Sequence, residues 1–405
     1  MDEIADIAII GGGLVGAAAS IVFGYPAMRG SLRVVLLERP NPQKGDARAL
    51  ALTLSTRRMF EVLGIWADIE RAVQPLHQIV VSDWRGVDDQ PELLRIEDGD
   101  APVGVSAYFV ESGIVLKALN KKLLECDHVQ LMHGELSDLT VKTGKAEVKT
   151  GDGKLLAARL LIAADGKDSL TRAGSGIETI SFDYPQSAIV TTIEHALPHG
   201  GRAYERFLPA GPFALLPLTG NRSSIVWTED AKLAKRLMES TEEDFLAELR
   251  CRAGPHLGNI RLAGPRQIYP LSFMLAKAFA ARRTALVGDA AHVIHPLAGL
   301  GFNLGMRDVA ALAEVVINDA RLGLDIGGDA TLQRYQSWRR MDTLMTAAAT
   351  DWLNRLFSND NEFLRRLRDA GLQTVDRIVP LKTIFMQEAA GLTGDLPKLM
   401  KGEAL

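Results

Sequence analysis

The first strongly apolar run of the chain, Asp6-Ile7-Ala8-Ile9-Ile10, is short, rich in β-branched residues and closed by glycines. That is the pattern of a strand buried on both faces of a parallel sheet. A helix is expected from about Leu14, and Val34-Val35-Leu36-Leu37 repeats the strand pattern and stops at Glu38, completing a strand, helix, strand unit. Helical apolar spacing is also present over residues 57–69, with Met59, Phe60, Leu63 and Trp66 on one side, and over residues 112–124.

Between residues 130 and 162 the pattern shifts to short strands, with Thr150-Gly151-Asp152-Gly153 as a turn, and closes on the apolar run Leu160-Leu161-Ile162-Ala163-Ala164. From about 181 to 270 the expected structure is antiparallel. Strands are expected over 187–193, 213–218 and 224–228, and one helix over 241–252, capped by Ser240 or Thr241 with Glu243 or Asp244 behind. Ala285-Leu286-Val287-Gly288-Asp289 reads as another buried strand, residues 302–321 as a helix ended near Gly323, and the remainder as a helical tail. The expected organisation is an α/β domain split in sequence (1–75, 100–180 and 270–330), an inserted β-rich domain (76–99 and 181–269) and a C-terminal helical region (331–405).

At 405 residues with 47% hydrophobic side chains, the chain can build two domains or one large composite one. Its formal net charge of -4 gives no broad positive field, which argues against nucleic acid as a partner. Cys126 and Cys251 lie far apart, against a disulfide framework or a cysteine-based metal site, and fit a reducing cytoplasm. The acidic N-terminus does not read as a secretory signal, and no run approaches the roughly 18 apolar residues of a membrane span. The C-terminal quarter mixes apolar and basic residues in a way that suits a membrane surface, so a soluble or peripheral protein is expected, cytoplasmic or at the inner face of the membrane.

Gly11, Gly13 and Gly16 form GxGxxG between a predicted strand and a predicted helix opening with Leu14 and Val15. The first glycine allows the tight turn, the second admits a pyrophosphate to the backbone, and the third lets helix and strand pack closely. Glu38, 22 residues beyond Gly16, is placed to accept hydrogen bonds from a ribose. A bare glycine turn is the plainer alternative, but the strand, the helix and the terminal acid favour a dinucleotide. Asp165-Gly166 and Gly288-Asp289 end two further strands, each open to reading as a simple turn. Three glycine and acid sites at strand ends point to one extended cofactor, with Asp289 accepting hydrogen bonds from polyol hydroxyls.

The stretch HPLAGLGFNLGMRDV, from His295, places Gly299, Gly301 and Gly305 at a helix start, where close backbone approach to something flat is allowed and free N–H groups face a carbonyl or a developing anion. A reduced flavin carries such charge. A metal held by His292, His295 and Asp289 is disfavoured, since the spacing is one short of the helical pair and Pro296 ends any helix there. Arg307 and Asp308 are expected in ion pairs near this helix end.

GGGLVG, LLIAADGKDSLTR and LVGDAAHVIHPLAGLGFNLGMRDV resemble the three signatures of single-component FAD-dependent aromatic hydroxylases, and the third is similar to the ubiquinone-biosynthesis branch, the polyprenylphenol hydroxylases. The stretches at Asp46 to Leu52, Leu63 to Trp66 and Val379 to Leu392 resemble that branch too, so the likeness covers essentially the whole chain. It implies an FAD-binding Rossmann-like domain of the p-hydroxybenzoate hydroxylase kind with a β-rich substrate domain. FAD is the implied cofactor, with NAD(P)H as reductant and oxygen passed from O2 through a flavin C4a-hydroperoxide to the ring of a prenylated phenol. By the resemblance Gly11, Gly13, Gly16, Glu38 and the adjacent Arg39 belong to the ADP half, Arg48 lies near pyrophosphate or flavin, Asp165 and Gly166 fall in the motif shared with NAD(P)H, and Asp289, beside Gly288, binds the ribityl chain. Pro296, Gly299, Leu300, Gly301, Phe302 and Asn303 would line the flavin edge, with Leu300 standing where the branch usually has Gln. No general base is legible. Association with a membrane or a biosynthetic complex fits a greasy substrate. The alternatives are an FAD-binding accessory protein, or a hydroxylase or reductase of another aromatic or isoprenoid compound.

Overall fold

The computed structural model describes residues 4–24, 32–39, 48–83, 92–98, 104–295, 299–357, 383 and 386–405, with the backbone alone for 352–357. Pro296 and parts of the stretches at Asp46 and Val379 lie outside these.

Ile7 and Ile9 are fully buried on one face of the first strand, Ala5–Ile10, and Ala8 and Ile10 are buried on the other. This strand pairs in parallel with Leu155–Ala163 on one side and Val34–Glu38 on the other, which continues to Val129–His133. The helices Leu14–Gly24 and Leu300–Arg321 cover the Ile7 face. The antiparallel strands Leu136–Val141 and Ala146–Thr150 cover the other through Leu136, Ala146 and Val148. Thr284–Leu286 extends the sheet beyond Leu155–Ala163, bringing three glycine and acid turns to the same end of neighbouring parallel strands.

A second sheet of nine strands is built around Thr179–His195, Arg222–Asp230, Gly211–Leu218 and Arg202–Leu208. Gln78–Asp83 joins Arg202–Leu208 in parallel and carries Glu92–Glu97 beside it. One face packs Ile189, Phe213, Leu215, Ile225 and Trp227 against helices Ala231–Glu239 and Glu242–Ala253. The other face sets Ala203, Leu216 and Leu218 against Ala49, Ala51 and Phe109 of a small sheet formed by Ala49–Thr53, Ala107–Glu111 and Gln74–Pro75.

Three local expectations change. The helical run over 57–69 is two helices, Leu54–Val62 and Trp66–Ile69, because Gly64 takes a φ of +70° between them. The strand expected over 187–193 extends to Thr179–His195, bent by a register shift between Asp183 and Ser187 that accommodates Pro185. The helix Ala231–Glu239, capped by Asp230 through the N–H groups of Lys232 and Leu233, was not signalled by the antiparallel pattern around it. Thr241 caps the next helix as expected, accepting the N–H of Asp244 at 3.1 Å.

Candidate active site

A Cβ on Gly16 would stand 1.8 Å from the Gly11 carbonyl oxygen, and one on Gly11 would stand 2.3 Å from that of Ala164. Those two glycines are demanded by chain packing on chain. Gly13 differs, because among the described residues no atom beyond its own turn and helix lies within 4 Å of its Cβ position, so the turn is open to a ligand there. The helix from Leu14 carries no acid in its first turn, leaving its N–H groups and positive dipole end to an anion. At the end of the next strand, Glu38 leans over Gly12 and faces His133 at 3.4 Å, while exposed Arg39 pairs with Glu135 at 3.3 Å. A shallow, open depression lies between this strand end, Gly11 and Asp165.

Asp165 is engaged locally: its carboxylate accepts the backbone N–H of Thr171 at 3.0 Å, the Thr171 hydroxyl at 2.9 Å and the Ser169 hydroxyl. It thereby anchors the short helix Leu170–Gly174, while Gly166 turns at φ +83°. At the third strand end Gly288 takes φ +60° and touches Val15, which also fills the space beside Gly305. Asp289 is solvent-accessible, yet protein surrounds it closely enough to push its carboxyl above the usual range, against the opposing pull of His292 and Arg48. An accessible acid with that surrounding lies on the floor of a cleft. The Arg48 guanidinium is stacked over the Tyr269 ring at 5.3 Å, linking this floor to the second sheet.

Helix Leu300–Arg321 starts two residues earlier than its apolar pattern indicated, at Gly299 in the left-handed conformation, and no side chain among the described residues caps it. The N–H groups of its first turn are therefore available, and no protein atom crowds the Cβ position of Gly301. Phe302 turns toward the core, edge-on to Phe60, and Leu300 packs in a cluster with Ile294, Leu304, Phe273 and Ala347. The Asn303 side chain is committed to protein: its amide donates to the Ala51 carbonyl at 2.6 Å, and its oxygen accepts from Thr53 N–H at 3.0 Å and the Thr56 hydroxyl at 2.8 Å. It ties the strand Ala49–Thr53 to the helix start. Sequence spacing could not show this, since the partners are about 250 positions away.

His292 meets Asp308 rather than His295, with Nε2 2.6 Å from the carboxylate, and Arg307 pairs with Asp342 at 3.0 Å. His295 is buried and has no hydrogen bond among the described residues, and burial lowers its pKa to about 4, so the ring is neutral. The residues fit a flavin dinucleotide: an open glycine turn before an unobstructed helix start, an acid on a cleft floor, and a second uncapped helix start beside the antiparallel sheet.

That arrangement defines a flavoprotein of the FAD-dependent monooxygenase class, and the FAD binding domain family matches residues 4–345. The fold is shared with p-nitrophenol 4-monooxygenase PnpA of Pseudomonas putida, at a TM-score of 0.81 and 19% identity over 97% of this chain and 99% of that one. Ubiquinone hydroxylase UbiL of Rhodospirillum rubrum is 40% identical over 100% of this chain and 94% of its own length. The mitochondrial ubiquinone biosynthesis monooxygenase COQ6 of Xenopus tropicalis is 31% identical over 95% of this chain and 93% of its own. The chain belongs to the family of FAD-dependent hydroxylases of ubiquinone biosynthesis.

Proposed function

We propose that this enzyme hydroxylates the aromatic ring of a prenylated phenol on the way to ubiquinone, using FAD, NAD(P)H and O2. The observation that carries the reading is the uncapped helix start at Gly299 lying against Ala51, beside the apolar face of the second sheet. A flavin edge and a greasy ring would meet there. Bound FAD supplies the redox chemistry, taking hydride from NAD(P)H and activating O2.

The protein's part is binding, orientation and exclusion of water. Gly11, Gly13, Leu14, Val15, Gly16 and Glu38 hold the ADP half in this reading, with the Leu14 helix start against the pyrophosphate and Arg39 at its margin. Asp289 receives ribityl hydroxyls, with Gly288 giving close approach, and Arg48 balances charge above it. Asp165 and Gly166 act by fixing the turn beside the cofactor. The first-turn N–H groups of Leu300, Gly301, Phe302 and Asn303 would stabilise negative charge on the flavin ring, with Gly299 allowing its close approach. The division into a discontinuous cofactor domain, a β-rich substrate domain and a C-terminal helical region follows from the same reading.

No helix among the described residues is long and apolar enough to cross a membrane. Met341, Leu344 and Met345 are exposed on helix Asp329–Phe357, which supports peripheral contact with a membrane or a biosynthetic complex that delivers the substrate. The test is purification of the protein followed by turnover of a prenylated phenol with NAD(P)H under labelled O2. A yellow protein that places the label on the ring supports the reading. A yellow protein that oxidises NAD(P)H without labelling any phenol would favour an accessory role, and unchanged quinone intermediates in a deletion strain would remove the biosynthetic assignment.

A further inference from the structure

We infer that Glu205 is the group that accepts the proton of the substrate's phenolic hydroxyl, an inference that rests on the hydroxylase reading above. Along Arg202–Leu208 the side chains alternate: Tyr204 and Leu208 pack toward the two covering helices, and Ala203, Glu205 and Phe207 point to the opposite face. That face is the one that meets the flavin bed. Ala203 belongs to the same buried cluster as Ala51, whose methyl group lies 3.0 Å from the Cβ position of Gly299. Glu205 stands one pleat further along the strand, ~7 Å from Ala203.

Across the sheet Glu205 faces Ala214, which is followed in the same row by Val226 and Val190. An apolar floor of this kind suits an aromatic ring, and a lone carboxyl at its end suits a phenol. Among the described residues Glu205 has no hydrogen bond or ion pair. The ionisable groups facing the same region are Asp83, beside Phe207 on the neighbouring strand, Arg48 over Tyr269, and Asp351, which accepts the Tyr184 hydroxyl from helix Asp329–Phe357. None of them offsets the surrounding protein, which by itself pushes the Glu205 carboxyl up to about 7. A carboxylate so tuned is matched to proton transfer near neutral pH, whereas an ordinary one is too weak a base. The Glu205 side chain is only half-buried, so a substrate can reach it, while the protein around it still disfavours its charge.

In the step assigned here the phenol O–H bond breaks, the proton moves to a Glu205 carboxylate oxygen, and the electron pair remains on the phenol oxygen. Density rises at the ring carbons ortho and para to it, one of which forms the new C–O bond to one atom of the activated O2 as its O–O bond breaks, the other oxygen leaving as water. That carbon then loses its hydrogen as a proton, the ring recovers aromaticity, and Glu205 returns its proton to the phenol oxygen. The overall balance is phenol, O2, NAD(P)H and a proton giving the dihydroxy product, NAD(P)+ and water, so no further reactant is needed.

The test uses holoenzyme carrying Glu205→Gln and the probe 2-geranylphenol. Two signals are read: the phenolate absorption of the bound probe across about pH 5 to 9, and product formed per NAD(P)H consumed. In the wild-type enzyme the phenolate band should emerge well below the ~10 of a free phenol. In Glu205→Gln it should retreat toward that value, with product per NAD(P)H falling at least tenfold and hydrogen peroxide replacing it, while FAD content stays unchanged. Glu205→Asp, which keeps the acid, should recover part of both signals, and it serves as the reporter if the Gln variant does not fold. A Glu205→Gln enzyme that keeps the band and the coupling overturns the role of Glu205 and leaves the hydroxylase reading intact. A wild-type enzyme that hydroxylates no phenol removes that reading, and this inference with it.

Discussion

The carboxylate of Asp308 holds His292 Nε2 at 2.6 Å with one oxygen and Arg339 Nε at 2.8 Å with the other, all three side chains being buried. The same group accepts the Gly288 N–H at 3.0 Å, so the ion cluster and the turn leading to Asp289 are one piece. Burial disfavours the ionised carboxylate, but His292 and Arg339 outweigh it and hold the carboxyl below its usual range. Asp308→Asn leaves Arg339 buried with half its charge partners, and should cost about 3–5 kcal/mol in urea unfolding at neutral pH. Because the folded-state pKa is depressed, this contribution is present above the ordinary carboxylate range and fades as pH falls below about 4. A cost under about 1 kcal/mol at neutral pH would show that the cluster does not hold the turn.

Gly13 and Gly16 should separate cofactor binding from folding. Gly16→Ala drives a methyl group into the Gly11 carbonyl and is expected to destabilise the protein by at least about 3 kcal/mol. Gly13→Ala meets no protein atom, so the apoprotein should melt within about 1 kcal/mol of wild type while FAD binding weakens. Equal losses of FAD in the two variants with unchanged apoprotein melting would contradict this division.

Asp289 makes a comparable contrast. Its carboxyl is already disfavoured by its surroundings in the apoprotein, so Asp289→Asn should leave apoprotein melting unchanged or higher. FAD affinity should nevertheless fall by about 10- to 100-fold, the value of one or two charge-assisted hydrogen bonds. Flavin fluorescence titration reads the affinity directly, and an unaltered dissociation constant would remove Asp289 from the cofactor's contacts.

Glu205 predicts a pH-dependent stability penalty. Its pKa is raised to about 7 in the folded protein against about 4.3 unfolded, so the native state is at full advantage below the lower value. Stability is then lost as pH rises through the interval, and the loss levels off above about 7, reaching at most about 4 kcal/mol. Glu205→Gln should therefore melt like wild type near pH 4 and higher than wild type near pH 8, at the same time as it loses coupling. A difference that does not grow between those pH values would refute the raised pKa.

Much of the cofactor half was legible because its signals are local. A β-branched run, glycines at fixed spacing and a terminal acid specify the turn at Gly11 to Gly16 without reference to distant chain. The inserted antiparallel region was also legible in outline, since Thr241 and the turn at Gly220 announce themselves. What could not be read were relations between remote segments. The parallel pairing of Gln78–Asp83 with Arg202–Leu208 has no periodicity of its own, and the partners of the Asn303 side chain, Thr53 and Ala51, are brought beside it only by the fold. Glu205 was missed for the same reason: AYERFLPAGPFALLPL reads equally well as facing the flavin edge or as an ordinary sheet core, and which of its alternating side chains meets the bed depends on the cluster that gathers Ala203 and Ala51.

Val15 touches both Gly288 and Gly305, so the first glycine loop of the chain packs against two segments made near its end. During synthesis the loop is made before the segments it packs on, and its packing surface is incomplete until Gly305 has been added. Cofactor capture therefore follows the synthesis of Gly305, and a product truncated before that residue would carry the dinucleotide fingerprint without being able to close it.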